Sequence, residues 1–126
     1  MKTLKFDVAV IGAGSAGMSA YRAAKARGKS VVLIEGGPYG TTCARVGCMP
    51  SKLLIAAAEA AHAISAAPGF GVHAGAVRID GKAVMQRVKS ERDRFVGFVV
   101  QGVEAIDAAE RLRGYARFTS AAVSYT

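Results

Sequence analysis

Hydrophobic positions gather first in two short, unbroken runs near the N-terminus. Phe6–Ile11 (FDVAVI) and Ser30–Glu35 (SVVLIE) are rich in β-branched residues and lack strict alternation, which predicts strands buried on both faces. Between them, Ser15–Arg27 sets small residues, Met18, Tyr21 and Ala24 along one stripe and stops at Gly28, the pattern of a helix ended by glycine. Strand, helix and strand within about thirty residues form a βαβ unit. Its crossover is expected to be right-handed, as nearly all are.

The rest of the chain is patterned more loosely. Gly36–Gly40 (GGPYG) is a loop, and Ser51–Ala66, alanine-rich with Leu53, Leu54, Ile55 and Ile64, reads as a helix. Pro68–Gly81 holds several glycines and a weak strand near Val77–Ile79. From Lys82 to about Ile106, Val84, Val88, Phe95, Val99, Val103 and Ile106 fall near helical spacing. Gly97 and Gly102 weaken that helix by roughly 1 kcal/mol each against alanine. Gly114–Phe118 and Ala121–Tyr125 read as two strands of a β-meander. The expected fold is α/β and Rossmann-like. Two parallel strands leave edges unpaired and a sheet face uncovered, so the chain is expected to be a truncated part of a larger protein.

Composition narrows the class. A chain of 126 residues supports one domain with a core, and 52% hydrophobic with 21% charged residues excludes a disordered chain. The greasiest stretch, Leu53–Ala67, is interrupted by Glu59, His62 and Ser65, so no bilayer-spanning run is expected. Asp7 and the glycines at 12, 14 and 17 break a signal-peptide reading of the N-terminus, and a cytoplasmic protein is expected. The net charge of +8, from 17 Lys and Arg against 9 Asp and Glu, raises a nucleic-acid partner. The basic clusters are mild, however, at Lys25, Arg27 and Lys29 and at Arg87, Lys89, Arg92 and Arg94, the second interleaved with Glu91 and Asp93. They read as solvated helix faces, and no nucleic-acid partner is expected.

Two groups of residues carry chemistry. The first strand runs into Gly12-Ala13-Gly14-Ser15-Ala16-Gly17, a GxGxxG at the opening of a helix. Gly12 permits the tight turn, Gly14 lets a pyrophosphate approach the backbone, and Gly17 lets helix and strand pack closely. The phosphates would sit on free N–H groups at the helix N-terminus. Glu35 ends the second strand, where an acid hydrogen-bonds ribose hydroxyls. Such an acid suits FAD or NAD and disfavours NADP; the loop alone does not separate the first two.

The second group is the cysteine pair Cys43 and Cys48, the only cysteines in the chain. Two cysteines do not staple a secreted scaffold of this size. A zinc site needs two further ligands, and His62 and His73 are poorly placed to supply them, so no metal is expected. In an ideal helix, residues i and i+5 lie about 140° apart with Cα atoms roughly 8.7 Å from each other. A disulfide needs roughly 4.4–6.8 Å. The pair therefore requires a distorted first turn, which Gly47 and Pro50 accompany. A helix N-terminus is expected to lower a thiol pKa.

The segment Gly40-Thr41-Thr42-Cys43-Ala44-Arg45-Val46-Gly47-Cys48-Met49-Pro50-Ser51-Lys52 resembles the signature GGTCxNxGCxPSK of the class I pyridine nucleotide-disulfide oxidoreductases. That family includes dihydrolipoamide dehydrogenase, glutathione reductase and mercuric reductase. The runs TTCARVGCMPSKLLIAAAEAAH and ERDRFVGFVV are most similar to a divergent branch of bacterial dihydrolipoamide dehydrogenases. The resemblance implies that residues 1–126 form the N-terminal part of an FAD-binding domain, with the NAD-binding and dimerisation domains outside the chain. It implies Cys43 as the interchange thiol, Cys48 as the thiolate against the flavin, and Lys52 near flavin N5. Thr41 and Thr42 would contact the pyrophosphate, with Gly36 and Gly40 in the same loop, Glu35 on the ribose and Ala116 at the adenine.

The implied activity is oxidation of dihydrolipoamide by NAD in a homodimer, with a lipoyl-type dithiol or a lipoyl domain of a 2-oxo acid dehydrogenase complex as partner. The family's acid–base His–Glu pair comes from the dimerisation domain, and neither His62 nor His73 matches it. The 126-residue chain alone is expected to be inactive and to hold FAD poorly. Mercuric or other disulfide reduction, or a non-catalytic FAD-binding or thiol-switch module, are the alternatives. Two departures stand out: Thr41 replaces the second glycine of the signature, and Arg45 replaces its asparagine.

Overall fold

The computed structural model describes residues 3–119. They form two compact units, one built by residues up to Gly40 together with those from Val100 onward, the other by Thr41–Val99.

The first unit opens with β1 (Val8–Ile11), α1 (Ser15–Ala26) and β2 (Val31–Glu35). The strands pair in parallel, Val8 opposite Val31 through Ile11 opposite Ile34. The apolar runs are the cause. Val31, Val32 and Leu33 are all buried, and Val31 and Leu33 are sealed from solvent altogether. In β1 only Val10 is fully buried, while Ile11 on the other face is 56% exposed. Met18 and Tyr21 of α1 join Val10, Ala13, Val31 and Leu33 in one core, completed by Val103 and Ile106 from far along the chain. Asp7 and Ser30 tie the start of the two strands: the Ser30 N–H and hydroxyl donate to the Asp7 carboxylate at 2.8 and 2.7 Å, and the Asp7 N–H donates back at 2.9 Å. These bonds, the Ser30 hydroxyl first, hold the Asp7 carboxyl below its ordinary range.

The C-terminal part of this unit corrects the expected meander. A third strand, β3 (Arg111–Arg113), lies beside β2 and runs parallel to it, with Glu35 opposite Arg113, giving the sheet order β1-β2-β3. The connection from β2 passes through a long helix, and a crossover of that length returns a strand in the parallel sense. Gly114–Phe118 has no regular structure; the chain leaves the ladder at Gly114, whose φ is +158°. The second proposed strand, Ala121–Tyr125, lies outside the described residues. Glu110, just before β3, accepts from the Tyr21 hydroxyl and from Lys25 Nζ at 2.6 Å, which fastens this segment to α1. Lys25 and then Tyr21 lower the Glu110 pKa, while burial and the same carboxylate push the Tyr21 hydroxyl up to about 12.

The second unit holds α2 (Thr42–Val46), α3 (Cys48–Ala66) and most of α4 (Gly81–Glu104). Asp80 caps α4, its carboxylate accepting from the N–H groups of Lys82 and Ala83 at 3.0 and 3.1 Å. The weak strand expected at Val77–Ile79 does not form; no partner strand is paired with it, and Ile79 is 67% exposed. Within the helical stretch Thr42–Phe70 one 18-residue window reaches a mean hydropathy of 1.4, apolar enough to pass, by length and composition only, a test that core helices of globular proteins also pass. Alanines at 56–58, 60, 61 and 63 outweigh Glu59 and His62 in that average.

Candidate functional site

The dinucleotide loop is built where β1 gives way to α1. Gly12 adopts φ +101° and donates its N–H to Ile34 O at 2.8 Å, so the turn is made at a residue with no side chain to oppose it. Gly14 precedes the helix in extended conformation with open space where a Cβ would stand. At Gly17 a Cβ would lie 1.8 Å from Gly12 O, so only glycine lets the first turn of α1 cross the loop this closely. Ser15 and Ala16 are exposed at the start of α1, and its first turn holds no acid. An anion approaching these N–H groups meets the positive end of the helix dipole and no repelling carboxylate.

Glu35 closes this region. Its Oε2 accepts the Ala13 N–H at 2.8 Å and its Oε1 accepts the Gly37 N–H at 2.7 Å. Those two bonds, Ala13 first, hold the carboxyl below its ordinary range, helped by the nearby Arg113 guanidinium. The acid therefore stays ionised and keeps unused lone pairs on both oxygens for ribose hydroxyls. The open space at Gly14, the acid-free helix start and a fixed carboxylate fit the adenosine diphosphate portion of FAD. Gly36 lies under the Tyr115 ring, whose atoms would come within 2.5–2.6 Å of a Cβ there, and Gly40 is buried at φ +111°. Ala116 is exposed two residues beyond Gly114 and lies in no strand.

The cysteine segment solves its spacing problem differently from a distorted turn. Two helices meet there: α2 carries Cys43, Gly47 is the joint (φ −121°, ψ −107°), and Cys48 is the first residue of α3. A Cβ at the joint would come within 3.3 Å of Thr42 O, so the approach of the two turns is close. Both cysteines are free thiols, Cys43 half-buried and Cys48 exposed. The Cys48 side chain, then desolvation, raises the Cys43 pKa; the Cys48 backbone N–H and the Lys52 charge act the other way. The expected lowering is thus reversed at Cys43, because the neighbouring Cys48 side chain and desolvation outweigh the influences that favour the thiolate. Pro50 sits in the first turn of α3, where no intrahelical donor is lost.

Thr41 precedes α2 with φ +58° and ψ 150°, a conformation proper to glycine, and its hydroxyl accepts from the Ala44 N–H at 3.1 Å. Thr42 is exposed as the first residue of α2, and Lys52 is exposed one turn into α3. His62 and His73 are exposed, and among the described residues no three His, Cys, Asp or Glu side chains gather as a metal site. Sequence reasoning missed Arg113. An arginine in a three-residue strand with one apolar residue gives no motif.

One unit thus carries a glycine loop closed by Glu35, and the other a pair of thiols at a helix junction. Residues 6–119 match the family described as pyridine nucleotide-disulphide oxidoreductase, and the chain belongs to it. It is similar to mercuric reductase of Streptomyces lividans, 44% identical over 93 residues covering 73% of this chain and 19% of that protein. It is 34% identical to dihydrolipoyl dehydrogenase of Bacillus subtilis (strain 168), over 118 residues covering 90% of this chain and 25% of the relative. A Cu(II) complex of the HOCl-induced flavoprotein disulfide reductase of Escherichia coli shares the fold at a TM-score of 0.67 and 23% identity, covering 92% of this chain and 23% of that one. The chain thus spans about a fifth to a quarter of the length of these relatives.

Proposed function

We propose that residues 1–126 are the N-terminal part of the FAD-binding domain of a dihydrolipoyl dehydrogenase, a homodimeric cytoplasmic enzyme whose NAD-binding and dimerisation domains lie elsewhere. The observation that carries the reading is the pair of free thiols at the α2–α3 junction, Cys43 in one helix and Cys48 opening the next. Two neighbouring thiols that are partly open to solvent can cycle between dithiol and disulfide. A dihydrolipoyl dithiol, free or on a lipoyl domain, gives up two electrons and two protons and becomes a cyclic disulfide as the Cys43–Cys48 disulfide becomes two thiols. Cys43 exchanges with the substrate sulfur, and its raised pKa calls for a base to take its proton. A bound FAD would supply the acceptor for this electron pair, with NAD as the final oxidant. Gly12, Gly14, Ser15, Ala16 and Gly17 would hold its diphosphate with Thr41 and Thr42, and Glu35 its ribose beside Gly36, Gly40 and Ala116. Cys48 and Lys52 would serve the flavin.

A second reading, mercuric reduction, is favoured by the 44% identity to the Streptomyces protein. The full-length protein, purified and examined by visible absorption with one equivalent of dihydrolipoamide, tests the first. Flavin bands with a new long-wavelength band on reduction are expected, together with NAD-dependent lipoamide turnover. Flavin without turnover of lipoamide but with NADPH-dependent reduction of Hg(II) selects the second, and absence of flavin removes both. The isolated 126-residue chain is expected to show no turnover.

A further inference from the structure

The glycine loop and Glu35 are readable from sequence, but what holds the far side of Glu35 is not. Its Oε1 rests on the Gly37 N–H at 2.7 Å, so the acid is oriented only as well as residues 36–39 are fixed. Those residues are fixed from β3. Arg113 sits opposite Glu35 in the sheet, its Nη1 donates to Gly37 O at 2.6 Å, and its guanidinium lies 4.5 Å from the centre of the Tyr39 ring. The next residue returns a bond to the same strand end, Gly114 N donating to Glu35 O at 3.1 Å. Arg113 is exposed, so no burial requirement explains an arginine there. A flat cation with a fork of donors can hold a carbonyl and an aromatic face together, which lysine cannot do as well.

We propose that Arg113, with Tyr39 as its stacking partner, is a positioning residue that sets Glu35 for the ribose of the adenosine half of the bound dinucleotide. The inference rests on the FAD reading above. Without the guanidinium, Gly37 loses its carbonyl anchor, its N–H drifts from Glu35, and the carboxylate keeps only the Ala13 bond. The charge facing Glu35 is that of Arg113; from the glycine loop and the 36–37 turn it meets only the backbone N–H groups of Ala13, Gly37 and Gly36.

The test uses the full-length protein stripped of flavin and titrated with FAD, followed by flavin fluorescence across a range of pH. Arg113→Ala is expected to weaken FAD binding about tenfold, the worth of roughly one charge-assisted hydrogen bond. It should also move upward the pH at which affinity falls on acidification, because Glu35 loses its facing charge. A general loss of structure would not move that limb. Should Arg113→Ala fail to fold, Tyr39→Leu, which keeps bulk and removes the stacking face, is expected to weaken FAD binding by a smaller factor. Unchanged affinity in the variant measured, or weaker binding in Arg113→Ala with the acid limb unmoved, overturns the proposal. A wild-type protein that binds no FAD overturns the FAD reading and this inference with it.

Discussion

The carboxylate of Glu35 accepts the backbone N–H of Ala13 at 2.8 Å, across 22 residues of chain. The acid at the end of β2 is therefore a structural clasp on the glycine loop as well as a candidate ribose ligand. Because hydrogen bonds to Ala13 and then Gly37 depress its pKa, its stabilising contribution is complete above the unfolded carboxylate range and is lost as pH falls through the depressed value. Glu35→Gln is expected to cost about 1 kcal/mol at neutral pH, with the gap from wild type closing as pH falls below the ordinary carboxylate range. Urea unfolding of both proteins across that range checks it; a gap that does not vary with pH would sink the claim.

Two glycines on helices should respond in opposite directions to the same substitution. Alanine gains about 1 kcal/mol over glycine in a helix interior. At Gly97 nothing lies within 4 Å of the new methyl, so Gly97→Ala is expected to stabilise by about that amount. At Gly17 the methyl would meet Gly12 O at 1.8 Å, and a backbone carbonyl cannot swing away. Gly17→Ala is expected to destabilise by more than about 2 kcal/mol, overpacking outweighing propensity. Denaturation midpoints ordered the other way would refute the argument.

Thr41 holds a backbone conformation that costs a side-chain-bearing residue about 1–3 kcal/mol, while glycine in place of a capping threonine loses only a few tenths. Thr41→Gly is thus expected to raise stability by about 1 kcal/mol. Calorimetry decides, and a lowered melting temperature would mean that the Ala44 cap outweighs the strain.

Cys43 owes its raised pKa first to Cys48. In Cys48→Ala the pH midpoint for alkylation of Cys43 by iodoacetamide, read by mass spectrometry of the labelled peptide, is expected to fall. An unmoved midpoint would assign the shift to desolvation, the second cause.

Much of this was legible because buried parallel strands spell themselves out as solid apolar runs. FDVAVI and SVVLIE need no partner to be recognised, and Gly12, Gly14, Gly17 and Glu35 follow from their positions relative to those runs. The requirement that Cys43 and Cys48 leave ideal helix geometry also came from spacing alone. That the break is a joint between two helices depends on the backbone at Gly47, which spacing does not specify. β3 was missed because Arg111-Leu112-Arg113 has one apolar residue, and the strand expectation fell instead on Gly114–Phe118, a segment that forms no strand. Its strand character comes from the β2 edge it joins, a property of the partner and not of its own residues. The positive φ of Thr41 was invisible for a related reason: threonine signals β structure, and only the loop around it demands otherwise.

The first unit is not continuous in sequence: its two halves are separated by everything from Thr41 to Val99. Arg113 finds Gly37 across 76 residues, and Lys25 finds Glu110 across 85. At equilibrium this is cheap, since each doubling of a closed loop adds only about 0.6 kcal/mol. In time it is not, because contacts so distant in sequence form slowly. During synthesis β1, α1 and β2 emerge from the ribosome with the outer edge of β2 bare and without Val103 or Ile106 to finish their core. The thiols at 43 and 48 are therefore made, and open to oxidants and chaperones, well before the strands that precede them have closed their fold.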